Sequence, residues 1–83
     1  MTDKFLRFSS FNARSIVNKL PELYSLLYND KCHCVAITET WLNSNIPDGL
    51  LDPEGKYHIF RCDRNERRGG GVCAFVSREL NAL

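Results

Sequence analysis

The 83-residue sequence contains no apolar run approaching the roughly 18 residues that a membrane-spanning helix needs. It has little net charge, since 11 lysines and arginines oppose 10 aspartates and glutamates to leave +1, so the total names neither an acidic nor a basic partner. Histidine is scarce: His33 opens an apolar run and His58 sits inside one, and no serine, histidine and aspartate grouping stands out. Neither a catalytic triad nor a recognisable general base is therefore visible. Zinc-type cysteine spacing is missing too, because Cys32-His33-Cys34 lacks the two-residue gap of a zinc knuckle. The opening Met1-Thr2-Asp3-Lys4 leads into an alternating stretch, not the continuous apolar core of a signal peptide. These absences predict a soluble intracellular chain, nuclear or cytoplasmic, with no membrane partner. Cys32, Cys34, Cys62 and Cys73 sit in strand-like runs and read as free thiols in a reducing compartment.

What is present is a globular composition, 43% hydrophobic and 11% aromatic, enough for one core. A chain this short buries only about 60 to 65% of its unfolded surface, so its stability should be marginal without a partner, a metal or a disulfide.

Hydrophobic spacing predicts the elements. Phe5 to Asn12 reads as a first strand, with Leu6, Phe8, Ser10 and Asn12 on one face. Ile16, Leu20, Leu23 and Leu27, flanked by Val17 and Tyr24, form the stripe of an amphipathic helix. Asn18 is its expected cap, Pro21 fits its first turn, and Asn29-Asp30 stops it. Cys32 to Glu39 is a second strand, apolar on both faces as in a sheet interior. Strand, helix and strand make a βαβ unit with parallel strands. A polar loop breaks regular structure between Trp41 and Lys56, and Tyr57–Cys62 with Gly71–Ser77 form an antiparallel hairpin. The expected fold class is α/β, of the α+β sandwich kind: one mixed sheet with one main helix.

Glu39 is the most informative residue, an acid ending an apolar strand with no adjacent cation. The parallel first strand ends on Asn12, so both polar side chains arrive at the carboxyl edge of the sheet, where open α/β sheets bind ligands. An acid beside an amide suits an oxygen-preferring divalent cation such as magnesium. Equally, Glu39 caps the following turn and Asn12 starts an Asx turn into Ala13-Arg14-Ser15. Gly69-Gly70-Gly71 precedes a strand, not a helix, so hairpin backbone freedom is a better reading than a phosphate cradle, with close approach to a ligand as the alternative. Arg61, Arg64, Arg67 and Arg68 either meet nucleic-acid phosphates or, interleaved with Asp63 and Glu66, decorate a solvated loop.

Taken together, Ser10-Phe11-Asn12-Ala13-Arg14-Ser15, Ile37-Thr38-Glu39-Thr40-Trp41-Leu42, and Ile59-Phe60-Arg61-Cys62-Asp63-Arg64 running into Arg67-Arg68-Gly69-Gly70-Gly71-Val72 resemble a known family. It is the endonuclease/exonuclease/phosphatase family, specifically the apurinic-type endonuclease domain of non-LTR retrotransposons. The resemblance runs from about Phe5 to Arg78, with the motifs in family order. It implies that Asn12 and Glu39 are catalytic positions and that Glu39 ligates the catalytic Mg2+. DNA is the implied partner, with Arg14, Arg64 and Arg68 as candidate contacts.

The family's catalytic tyrosine, its aspartate and asparagine pair, and its final aspartate and histidine lie downstream of the hairpin, and these 83 residues do not contain them. The expectation is that residues 1–83 are the amino-terminal part of one such domain, truncated at its carboxyl end and inactive alone. The rest of the domain and a reverse transcriptase are then expected partners. A small nucleic-acid-binding module and an inert translated remnant are the alternatives. The sheet face that should meet a second sheet is expected to carry Leu6, Phe8, Val35 and Ile37.

Overall fold

The computed structural model describes residues 6–64 and 69–80. Four short strands, each rich in β-branched or aromatic residues, form one sheet: β1 (Phe8–Asn12), β2 (Cys34–Thr38), β3 (Tyr57–Cys62) and β4 (Val72–Ser77). Their spatial order is β1-β2-β4-β3. β1 runs parallel to β2, pairing Phe8 with Cys34 and Asn12 with Thr38. β4 lies antiparallel to both β2 and β3, so the final hairpin inserts its second strand beside the βαβ unit. The fold is therefore a mixed α/β sheet with one main helical segment.

That segment is less regular than the leucine spacing predicts. A 3₁₀ turn (Ile16–Lys19) leads into α1 (Leu20–Tyr24), which loosens into π-helical turns (Ser25–Asn29). Asn18 is not the cap: helical turns begin at Ile16, so Asn18 falls inside the first one and Ser15 takes the N-terminal position. Pro21 sits in the first turn of α1, where its missing donor costs nothing. Ile16, Leu23 and Leu27 are buried, with Leu20 and Tyr24 packed alongside. The stripe thus sets what is buried even where the helical pitch drifts.

The loop after β2 is also more ordered than its polar composition suggests. Asp48–Leu51 forms a single helical turn, α2, and Leu51 and Asp52 are buried. Asp52 accepts hydrogen bonds from the Tyr28 hydroxyl and from the Tyr57 backbone N–H, the latter at 2.8 Å. Tyr57 in turn donates to the carbonyls of Leu27 and Cys32. This network ties the helical segment, the loop and β3 together at the amino end of β2.

One face of the sheet is covered and the other is open. Val35, Ile37, Cys73 and Phe75 lie beneath the helical layer and are buried. Phe8, Phe60, Leu6 and Val72 remain 70%, 62%, 51% and 50% exposed. The expected grouping of Leu6 and Phe8 with Val35 and Ile37 is therefore incorrect. Parallel pairing of Phe8 with Cys34 puts Phe8 on the face of Cys34, Ala36 and Thr38, and the pleat turns Val35 and Ile37 to the opposite side. All four cysteines are free thiols, Cys32 and Cys73 buried, Cys34 half-buried and Cys62 exposed.

A candidate metal centre at the carboxyl edge of the sheet

β1 and β2 end side by side, and the chain does something unusual at both exits. Strand alternation would send Glu39 to the side of Val35 and Ile37, away from Asn12. Glu39 instead adopts a left-handed backbone, φ 52°, and its carboxylate Oε2 accepts a hydrogen bond from Asn12 Nδ2 at 2.8 Å. Among the described residues, the side-chain partner of Glu39 is thus the Asn12 amide and not a backbone N–H of the following turn. A carboxylate can accept about four hydrogen bonds, so this half-buried acid keeps lone pairs for another ligand.

Left-handed backbone clusters around this pair. Arg14 and Ser15 after β1, Glu39 and Trp41 after β2, and Gly69, Gly70 and Gly71 before β4 all have φ between 48° and 87°. Non-glycine residues in this region cost of order 1 kcal/mol or more each, and they persist where the surroundings hold them. Here main-chain bonds hold them. Ser15 N donates to Glu39 O at 3.0 Å and Ile16 N to Thr40 O at 3.0 Å. On the other side Thr40 N donates to Gly71 O at 3.3 Å and Trp41 N to Gly70 O at 3.0 Å. Lys19 Nζ caps the Ala13 carbonyl at 2.9 Å and secures the exit of β1. Sequence reasoning missed Lys19, because a lysine inside a helix pattern reads as solvent-facing.

The arginines divide into distinct roles. Arg14 is exposed at this edge, two residues after Asn12. Arg64 is also exposed, and its guanidinium lies so close over Gly70 that a Cβ there would stand 2.9 Å from Nε. Arg61 is an anchor instead. It bonds the carboxylates of Asp63 and Asp48 and the carbonyls of Ile46 and Asn43. The Asp63 carboxylate beside it holds its guanidinium above the usual range. Arg68 lies outside the described residues.

The histidines stand elsewhere. His33 precedes β2 and accepts a hydrogen bond from Arg7 N, and His58 is at the start of β3, beside Arg78. Strand register places both at the end of the sheet remote from Glu39. Among the described residues no group of three or more His, Cys, Asp or Glu gathers into a metal cluster. A single carboxylate with an amide beside it still fits magnesium, which keeps several waters and takes one or two protein carboxylates. Glu39 is the residue that would hold it, with Asn12 orienting the carboxylate.

No protein-family model and no curated protein matches the chain. A solved structure does: an AP endonuclease from Archaeoglobus fulgidus, with TM-score 0.68 and 21% identity. The likeness is one of fold. It covers 86% of this chain but only 27% of that one, so the chain spans about a quarter of its neighbour's length. Among the described residues no helix is long and apolar enough to cross a membrane.

Proposed function

We propose that the chain is the amino-terminal part of a metal-dependent DNA endonuclease domain of the endonuclease/exonuclease/phosphatase family, retrotransposon type. The observation that carries this reading is the Asn12 to Glu39 hydrogen bond, 2.8 Å, at the carboxyl ends of two parallel strands. The motif order described above and the fold shared with an AP endonuclease support it. In this reading Glu39 is the metal ligand and Asn12 fixes its rotamer. A bound Mg2+ would neutralise charge on a phosphodiester and acidify a coordinated water. Arg14 and Arg64, exposed at the same edge, would contact the DNA backbone.

The chain alone should not cut. Water activation needs a base, and both histidines lie at the far end of the sheet. Supercoiled plasmid incubated with the chain and Mg2+ should stay supercoiled. Magnesium-dependent nicking that disappears in Glu39→Ala would overturn the proposed inactivity while preserving the assignment of Glu39.

The exposed arginines also favour a second reading, a module that binds DNA without cutting it. It requires salt-dependent affinity for a duplex, the logarithm of the binding constant falling by about 0.9 per phosphate contact for each logarithmic unit of salt. Affinity unchanged in an Arg14→Ala, Arg64→Ala double variant would remove this reading.

A further inference from the structure

Thr40 is fully buried, yet among the described residues its hydroxyl has no hydrogen-bond partner, and it lies directly against Gly71. A Cβ built on Gly71 would stand 2.7 Å from Thr40 Oγ1, closer than real side-chain contacts allow. The hydroxyl cannot swing clear easily. A threonine is stiff at χ1, and this one is enclosed on all sides. Its backbone is also held from two directions, with Thr40 N donating to Gly71 O and Thr40 O accepting from Ile16 N. Gly71 itself has φ 87°, a conformation that glycine adopts without strain.

We infer that Gly71 is a positioning residue for Glu39: the bare Cα of Gly71 lets Thr40 seat against β4, and the seated Thr40 sets the left-handed turn that aims Glu39 at Asn12. Thr40 follows Glu39 directly, so a displacement of Thr40 rotates the Glu39 peptide. Without its left-handed turn, Glu39 returns to the strand alternation that points it to the opposite face from Asn12. The glycine run therefore acts on the acid and not on a ligand. The inference deepens the proposed metal site, and it rests on that reading only for its functional consequence.

The test uses the whole chain and a readout independent of metal, the side-chain amide resonances of Asn12 in nitrogen-15 spectra. In the native chain the Asn12 protons should be shifted and protected by the Glu39 carboxylate, and Glu39→Gln should collapse that signature. Gly71→Ala should collapse it equally while the amides of Val35, Ile37 and Phe75 keep their positions. Adding Thr40→Ala to Gly71→Ala removes the obstructing oxygen and should restore at least half of the lost shift. If Gly71→Ala alone fails to fold, recovery of folding and of the Asn12 signature in the double variant supports the inference. An Asn12 signature intact in Gly71→Ala, or a double variant no better than the single one, overturns it. Manganese broadening of the same resonances distinguishes the two claims. Its absence in the native chain sinks the metal reading and leaves the positioning role standing.

Discussion

Glu39 and Asp52 are two acids at opposite ends of the same sheet, and they are held in opposite ways. Asp52 is buried, with one oxygen taken by the Tyr28 hydroxyl and the other by the Tyr57 N–H. Glu39 is half-buried, receives one amide proton from the described side chains, and sits amid left-handed backbone. A buried carboxylate with a protein donor on each oxygen fastens elements together. One that is held by a single amide keeps lone pairs free, which is what the proposed metal role requires.

The sharpest way to break this contrast is to remove each acid. Asp52→Ala leaves a buried N–H and a tyrosine hydroxyl without partners, which should lower unfolding stability by about 2 to 4 kcal/mol, measured by urea denaturation. A loss under 1 kcal/mol would mean the Asp52 end is not the structural end.

Alkaline pH provides a second probe, reading Tyr57 at that end and Cys73 opposite Ile37, nearer the other. Burial pushes Tyr57 from its ordinary 10.0 up to about 12, and Cys73 from 9.0 to about 12. Both are neutral when protonated and harder to ionise when folded. Stability is therefore full below about pH 9, where the unfolded thiol is still protonated, and falls as pH rises towards about 12. Cys73→Ala should flatten the early part of that decline in melts recorded at stepped pH. A thiol reagent in native buffer should label Cys62 and spare Cys73.

The open face of the sheet should dominate association. Phe8 and Phe60 are 70% and 62% exposed, so Phe8→Ser with Phe60→Ser should shift sedimentation towards monomer at a stability cost under about 1 kcal/mol. An unchanged sedimentation profile would show that this face is not what drives association. Smallest of all, Glu39→Gln should alter unfolding stability by no more than about 0.5 kcal/mol, since the acid is not part of the core.

Much of this contrast was legible in sequence, but unevenly. The leucine stripe and the β-branched runs fix the βαβ unit, and parallel strands bring Asn12 and Glu39 to one edge by topology alone. Asp52 was not legible: it lies among prolines, glycines and asparagines that signal a loop, and only the tertiary approach of Tyr28 and Tyr57 makes it structural. Nor does alternation reveal that Glu39 must turn left-handed to reach Asn12, because the residues that follow it are hydrogen-bonded to Gly70 and Gly71 some thirty residues away. The division of the arginines was hidden as well, since only the folded loop brings Asp48 and the carbonyls of Asn43 and Ile46 to Arg61.

The proposal that Glu39 is a metal ligand is tested most directly by terbium luminescence, which uses the chain's single tryptophan, Trp41, as the sensitiser two residues from the acid. Tb3+ is a hard, oxygen-preferring stand-in for Mg2+. The account predicts saturable, magnesium-displaceable emission on excitation of Trp41, weakened at least tenfold in affinity by Glu39→Gln and unchanged by Glu54→Gln at the other end of the sheet. Emission that is absent in the native chain, or that survives intact in Glu39→Gln, would contradict it.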